Sequence, residues 1–324
     1  MELLIDQLHV TPALYKAGVE TLVYQSLVNN DSEYHVNNTL TKEHLKKQAE
    51  FSETIECPDV FGKFNNEQHY LKTLNLVLSS THETRNRILF CLNEILPLIP
   101  VEGSLLDIGP GDGSLTQTLA HHFQNITMVD INHHALNVLK NALPSSINIT
   151  PITGCISNID LNSTHYNLAV LSHMLYYIEP KLWFEIIKSI YESLKEDGML
   201  VIILGGDELG KSELIEHFGG QILGIDPLAI QCRNTFGESN VTLYASDESF
   251  VTCTQEAMLH ISSFMLADAN ISASEEDLNN YITQNLKQSD SHFEMTTRQK
   301  YIIIKKNSQL MDELHDAKQL FTEN

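Results

Sequence analysis

Apolar and polar positions change rhythm along the chain near residue 103. Upstream, apolar residues recur every three or four positions over Thr11–Leu27, Thr41–Phe51, Gln68–Leu78 and Thr84–Leu96, the spacing that gathers them on one face of a helix. Ser80 or Thr81 stands where an N-cap for the last of these belongs, and Pro97 and Pro100 end it. From Ser104 onward, short segments rich in apolar residues take over at Ser104–Ile108, Ile126–Asp130, Ile147–Ile152, Tyr166–Leu171 and Met199–Leu204. Segments this short predict strands, and the continuous run Met199–Leu204 predicts a buried one. Helical patterns at Ser114–His122, His133–Ala142 and Lys181–Leu194 fall between them, the last closed by Asp197-Gly198. Val241–Ala245 and Lys300–Lys305 predict two further strands around helices at Thr254–Phe264 and Ser274–Lys287.

Strand–helix alternation of this kind predicts an α/β fold, with a mostly parallel seven-stranded sheet and helices on both faces. The expected organisation is a helical cap over residues 1–66, an α/β domain over 67–306 and a helical tail over 307–324. Within the domain, helices at 67–97 precede a core at 103–205, and a part with a helical insertion follows at 206–306.

Composition narrows the partners. At 324 residues and 42% hydrophobic, the chain has enough apolar side chains for a core, and no run nears the roughly 20 residues of a membrane span. The start, Met-Glu-Leu-Leu-Ile-Asp, carries acid where a secretory leader carries base, so the cytoplasm is expected. Five scattered cysteines form no CxxC pair, and no His/carboxylate spacing suggests a metal. The formal net charge of −22 opposes nucleic acid and anionic membranes and favours cationic small molecules.

The chemistry concentrates in Leu106-Asp107-Ile108-Gly109-Pro110-Gly111-Asp112-Gly113. Glycines at alternate positions after a strand let backbone approach a ligand, and the next helix points its positive end at the same spot. Asp130 ends the following strand, about twenty residues on, where a carboxylate reaches both ribose hydroxyls of an adenosine. A nicotinamide site wants a third glycine where Ser114 stands. Asp107 would repel a pyrophosphate, but it attracts the ammonium of a methionine moiety. The string resembles the first motif of class I methyltransferases, which implies a Rossmann-like fold and S-adenosyl-L-methionine as cofactor. Gly109, Pro110, Gly111 and Gly113 would form its turn. Ile131 and Ile156 would sandwich the adenine, Cys155 or Ser157 would supply a polar contact, and Ser172 would lie beside the methionine end.

Ligands in open α/β sheets sit beyond the carboxyl ends of the strands, which places Ser172-His173-Met174-Leu175-Tyr176-Tyr177 at the reacting methyl. Two adjacent tyrosines offer aromatic faces to a sulfonium or methylammonium. Met174-Leu175-Tyr176-Tyr177 resembles the strand-four signature of the histamine N-methyltransferase family. Tyr70-Leu71 leading to Leu78-Ser79-Ser80-Thr81-His82-Glu83 is similar to that family's N-terminal helix, and Phe264 with Ala269–Ala273 and Asp277-Leu278 to its C-terminal insertion.

That resemblance implies substrate contacts from Tyr70, Glu83, His173, Tyr176 and Tyr177. The chain departs from the family at Gly210-Lys211 and Thr296-Thr297, which leaves a small amine rather than histamine itself as the expected substrate. The implied reaction is in-line displacement, with Glu83 or His173 taking the amine proton. The alternatives are O-methylation of a small molecule and a non-catalytic subunit that binds the cofactor or a protein.

Overall fold

Alternate side chains of a strand go to opposite faces, so an unbroken apolar run is stable only where both faces are covered. The computed structural model of the protein describes residue 73 and residues 76–306, apart from 162–164, 207, 221–223 and 270. The helices read at Thr11–Leu27 and Thr41–Phe51, the 1–66 cap, Tyr70 and the 307–324 tail lie outside the described residues.

One sheet contains β1 (Gly103–Ile108), β2 (Phe123–Asp130), β3 (Asn148–Thr153), β4 (Tyr166–Ser172), β5 (Leu194–Gly205), β6 (Val241–Thr252), β7 (Lys287–Ser289) and β8 (His292–Lys305). Its order is β3-β2-β1-β4-β5-β8-β6, with β7 paired to β8. β1 to β5 are parallel, and β8 runs antiparallel to both β5 and β6. The helices are α1 (Glu83–Phe90), α2 (Ser114–Leu119), α3 (His133–Ala142), α4 (Pro180–Glu192), α5 (Gly210–His217), α6 (Asp226–Phe236), α7 (Gln255–Asp268) and α8 (Glu275–Tyr281).

Period-two burial sorts the strand residues into two cores. Leu106, Ile108, Ala169, Leu171, Leu200 and Ile202 pack with Trp183, Ile187 and Ile190 of α4 and Leu228 of α6. Leu105, Leu168, Val170, Val201 and Ile203 pack on the other face with Ile88 of α1, Leu115 of α2 and Leu136 of α3. A third core joins α5, α7 and α8 to the outer ends of β6 and β8 through Phe250, Phe293 and Met295.

The sheet carries one strand more than expected, because β7 is three exposed polar residues with no apolar signal. Asp197-Gly198 does not end α4. The helix stops at Glu192, Leu194 is buried opposite Tyr166, and residues between Leu194 and Met199 bulge before the ladder resumes. Gly198 is required inside that bulge, since a Cβ there would lie 2.8 Å from the Tyr166 carbonyl oxygen. β6 and β8 run well past their expected ends because their polar halves, such as Ser246-Asp247-Glu248 and Thr296-Thr297-Arg298, pair with each other. Helices α5 and α6 had no counterpart in the sequence reading.

Candidate active site

The strand order reverses between β1 and β4, so the connections leave to opposite sides and a crevice opens beyond their carboxyl ends. The glycine turn lies at one wall of it. Gly109, Gly111 and Gly113 all have positive φ, at 67°, 60° and 74°, a region that costs other residues about 1–2 kcal/mol. A Cβ on Gly109 would collide with Met174 and one on Gly113 with Leu139, whereas one on Gly111 would meet nothing within 4 Å. Gly111 therefore faces open space among the described residues. Asp112 braces the start of α2, its Oδ1 accepting from Ser114 N–H at 3.1 Å and Ser114 Oγ at 2.8 Å. Ser114, standing where a third glycine was sought, is thus part of the helix cap.

Asp107 is buried at the end of β1, and the Thr116 hydroxyl donates to its Oδ2 at 2.5 Å. Burial pushes the carboxyl up to about 6, against the pull of Thr116 and the Arg87 guanidinium. A pKa raised by folding means that the fold favours the protonated acid. That stabilisation is complete below the ordinary aspartate range and is lost as pH rises through about 6. Asp107→Asn should therefore make the ligand-free protein more stable at pH 8, by up to about 3 kcal/mol. The gain should disappear near pH 4, and urea melts at the two pH values check this.

Asp130 ends β2, with Oδ1 accepting from Asn132 N–H at 2.8 Å. Burial raises it too, opposed by the backbone N–H groups of Asn132 and Ile131. Ile156 is buried in the tight turn after β3, Ile131 is half-buried, and the Ser157 hydroxyl donates to Cys155 Sγ at 3.2 Å. Ser172 Oγ is buried at the end of β4 with no hydrogen-bond partner among the described residues. An open cradle at Gly111, carboxylates ending β1 and β2, and an unpartnered hydroxyl ending β4 fit a zwitterionic adenosine ligand.

The far wall of the crevice holds a second cluster. His173 leaves β4 at φ 54°, with its N–H bonded to Ile203 O at 2.8 Å. The left-handed turn lets the imidazole reach across β5 to Gln299 of β8, at 3.1 Å from Nε2. Tyr301 donates its hydroxyl to Gln299 Oε1 at 2.6 Å, which leaves the Gln299 amide N–H₂ to donate to His173 Nε2. The imidazole is then neutral with its proton on Nδ1, 3.4 Å from the Tyr176 oxygen. Burial, then Arg87, then Lys211 push His173 well below the usual histidine range. The Tyr176 oxygen also accepts Gly205 N–H, an approach that a side chain on Gly205 would block. Tyr177 is half-buried in the same turn.

Glu83 opens α1 behind His82, which stands at the N-cap in place of the expected Ser80 or Thr81 and makes no side-chain cap, while Thr81 Oγ1 accepts from the Glu83 N–H at 3.2 Å. Asn86 Nδ2 ties α1 to Glu248 of β6 at 2.5 Å, and Phe90 stacks on Tyr244 at 4.9 Å between ring centroids. Burial raises Glu83 despite the first-turn dipole, opposed by Lys211, Arg87 and a Thr297 hydrogen bond and reinforced by Glu248. The two sequence departures meet here. Gly210 N–H donates to Thr296 Oγ1 at 3.0 Å, and Lys211 and Thr297 both act on Glu83. Lys211 Nζ also lies 5.6 Å from the Tyr176 ring centroid.

Sequence reasoning missed Arg87, Gln299 and Tyr301. Arg87 had a signal, four residues beyond Glu83 on the same helix face. The other two are brought in by a register between distant strands.

A family model described as a methyltransferase domain matches residues 105–198, from β1 into β5. Ribosomal RNA small subunit methyltransferase A of Fusobacterium nucleatum is 29% identical over 139 residues, 40% of this chain and 53% of that protein. The chain spans about half or less of the length of the curated relatives it matches. A candidate methyltransferase from Bacillus halodurans superposes with a TM-score of 0.47 at 10% identity, over 66% of this chain and 98% of that one. The plantazolicin methyltransferase, in complex with a triazolic desmethylPZN analogue and SAH, gives 0.45 at 15% identity over 82% and 99%. The matched segment is a methyltransferase domain, and it lies in an α/β sheet whose strand order reverses between β1 and β4.

Proposed function

We propose that the protein methylates the nitrogen of a small-molecule amine. The observation that carries this reading is Glu83, a half-buried carboxyl at the start of α1 with Thr297, Lys211 and Arg87 acting on it. S-adenosylmethionine supplies a methyl already activated on sulfur, so the protein's work is alignment and proton transfer. In this reading Gly111 makes room for the cofactor, Asp107 faces its ammonium and Asp130 its ribose, with Gly109, Pro110 and Gly113 shaping the turn. Ile131, Cys155, Ile156 and Ser172 line the remainder.

An amine attacks only as the free base, and a carboxylate raised by burial is matched to taking its proton. His173 is a positioning residue here, since its Nε2 lone pair already accepts from Gln299. Tyr176, Tyr177 and, outside the described residues, Tyr70 complete the acceptor side. The kinship to histamine N-methyltransferases belongs to this reading.

Ribosomal RNA is the substrate named for the curated relatives. A net charge of −22 opposes it here. No described helix is long and apolar enough to cross a membrane. O-methylation stays as a second reading because a cation over Tyr176 would stabilise a phenolate. Transfer of labelled methyl to a panel of amines and phenols separates the two. Label in amines is expected, and label in phenols alone would reject the amine.

A further inference from the structure

Gln299 and Tyr301 of β8 are both fully buried. The register of β8 on β5 sets Gln299 opposite Gly205, whose N–H holds the Tyr176 oxygen. It sets Tyr301 opposite Ile203, whose carbonyl holds the His173 N–H. A chain of side-chain hydrogen bonds leads from this pair to the turn after β4. The Tyr301 oxygen lies 2.6 Å from Gln299 Oε1, Gln299 Nε2 lies 3.1 Å from His173 Nε2, and His173 Nδ1 lies 3.4 Å from the Tyr176 oxygen. Hydroxyls, amides and neutral imidazoles can each donate at one end and accept at the other, so such a chain can run in two directions. One starts at Tyr176 and ends with the amide donating to Tyr301, and the other starts at Tyr301. The geometry selects the second, because 2.6 Å suits an O–H···O bond and is short for N–H···O. Burial also holds the Tyr301 phenol above the usual tyrosine range, so its oxygen keeps a proton to donate.

The Tyr301 ring is itself fixed, 4.5 Å from Phe90 of α1 and 5.3 Å from Tyr244 of β6 between ring centroids. Turning the Gln299 amide over would set its N–H₂ against the Tyr301 hydroxyl hydrogen and its oxygen against a bare His173 nitrogen, losing both bonds. We propose that Tyr301 and Gln299 are positioning residues for methyl transfer. Acting through His173, they direct every donor of the chain toward Tyr176 and so pin its ring from two sides, by His173 Nδ1–H and by Gly205 N–H. The same direction keeps His173 uncharged beside Arg87 and Lys211, the cations that already act on it. No further positive charge then stands near a site that takes a cationic methyl donor. The proposal rests on the reading that puts Tyr176 on the acceptor side, and its test is chosen to separate the two.

Nitrogen-15 NMR of the full chain, labelled in the histidine rings and assigned with a His173→Asn variant, reads the tautomer directly. Wild-type His173 should show a protonated Nδ1 and a bare Nε2, unchanged through the ordinary histidine range of pH. Tyr301→Phe keeps the ring contacts and deletes only the hydroxyl, so the amide can turn and His173 should show a mixture of both tautomers. Its kcat, on the amine that takes most label in the methyl-transfer panel, should fall about 3- to 10-fold, with S-adenosylhomocysteine affinity unchanged. Gln299→Glu keeps the size, but a carboxylate only accepts, so the His173 proton should move to Nε2 and kcat should fall further. This second variant decides the matter where the first does not fold.

A wild-type His173 signature in either folded variant would overturn the proposal even if the melting temperature falls, because the residue would then be core and nothing more. A wild type with the proton on Nε2 would overturn it as well, and so would changed signatures with unchanged kcat. If label enters phenols and no amine, the amine reading falls, and the same variants measured on the phenol still decide the positioning role.

Discussion

Gly111→Val should give a folded protein that no longer binds S-adenosylhomocysteine. In the ligand-free chain nothing lies within 4 Å of the added Cβ, so the turn has room for a side chain. The strain is in the backbone, because φ is 60° and a β-branched residue is poorly accommodated there. A loss of about 1–3 kcal/mol in stability follows from that strain. The proposed cofactor site includes that open space, so the isopropyl group and the cofactor should compete for it. Affinity should fall by at least about 100-fold, or ~3 kcal/mol. Gly111→Ala, with one methyl, should fall between the two. Circular dichroism and calorimetry on the same preparations check this, and unchanged affinity in the valine variant would make the turn purely structural.

Glu83→Gln should lower kcat about 100-fold or more while cofactor affinity stays as in the wild type. The amide keeps the size and the Thr297 contact but cannot take a proton. The pH profile gives an independent check. Burial raises the Glu83 carboxyl, and a base acts only when ionised, so wild-type kcat should climb with pH along a limb above the ordinary glutamate range. In the glutamine variant that limb should vanish. A rise in KM with kcat unchanged would reduce Glu83 to a binding group. Wild-type kinetics with a lowered melting point would make it only a helix-end acid.

Legibility in the sequence followed how local each feature is. The strand-turn-helix around Gly109 to Gly113, the acid at Asp130 and the β4 terminus at His173 were readable because apolar runs, glycines and caps act within a few residues. Bounds failed where burial was decided elsewhere. α4 ends at Glu192 because Leu194 finds a buried place opposite Tyr166, which no local terminator announces. The outer halves of β6 and β8 are polar on one side and pair with each other, so neither carried a continuous apolar signal.

By itself the sequence determined the α/β alternation, the glycine turn and its two carboxylates, since these depend on periodicity and on backbone freedom at single residues. Tertiary structure alone decided the state of His173 and Glu83. The antiparallel register of β8 against β5 puts Gln299 opposite Gly205 and so within reach of His173, fixing a neutral imidazole. The packing of α1 across the sheet puts Glu83 beside Lys211 of α5 and Thr297 of β8, and Arg87 within electrostatic reach of Asp107. A side chain's charge depends on its desolvation and its neighbours. Lys211 and Thr297 come to Glu83, and Gln299 to His173, from more than a hundred residues away, and only the packed sheet brings them together.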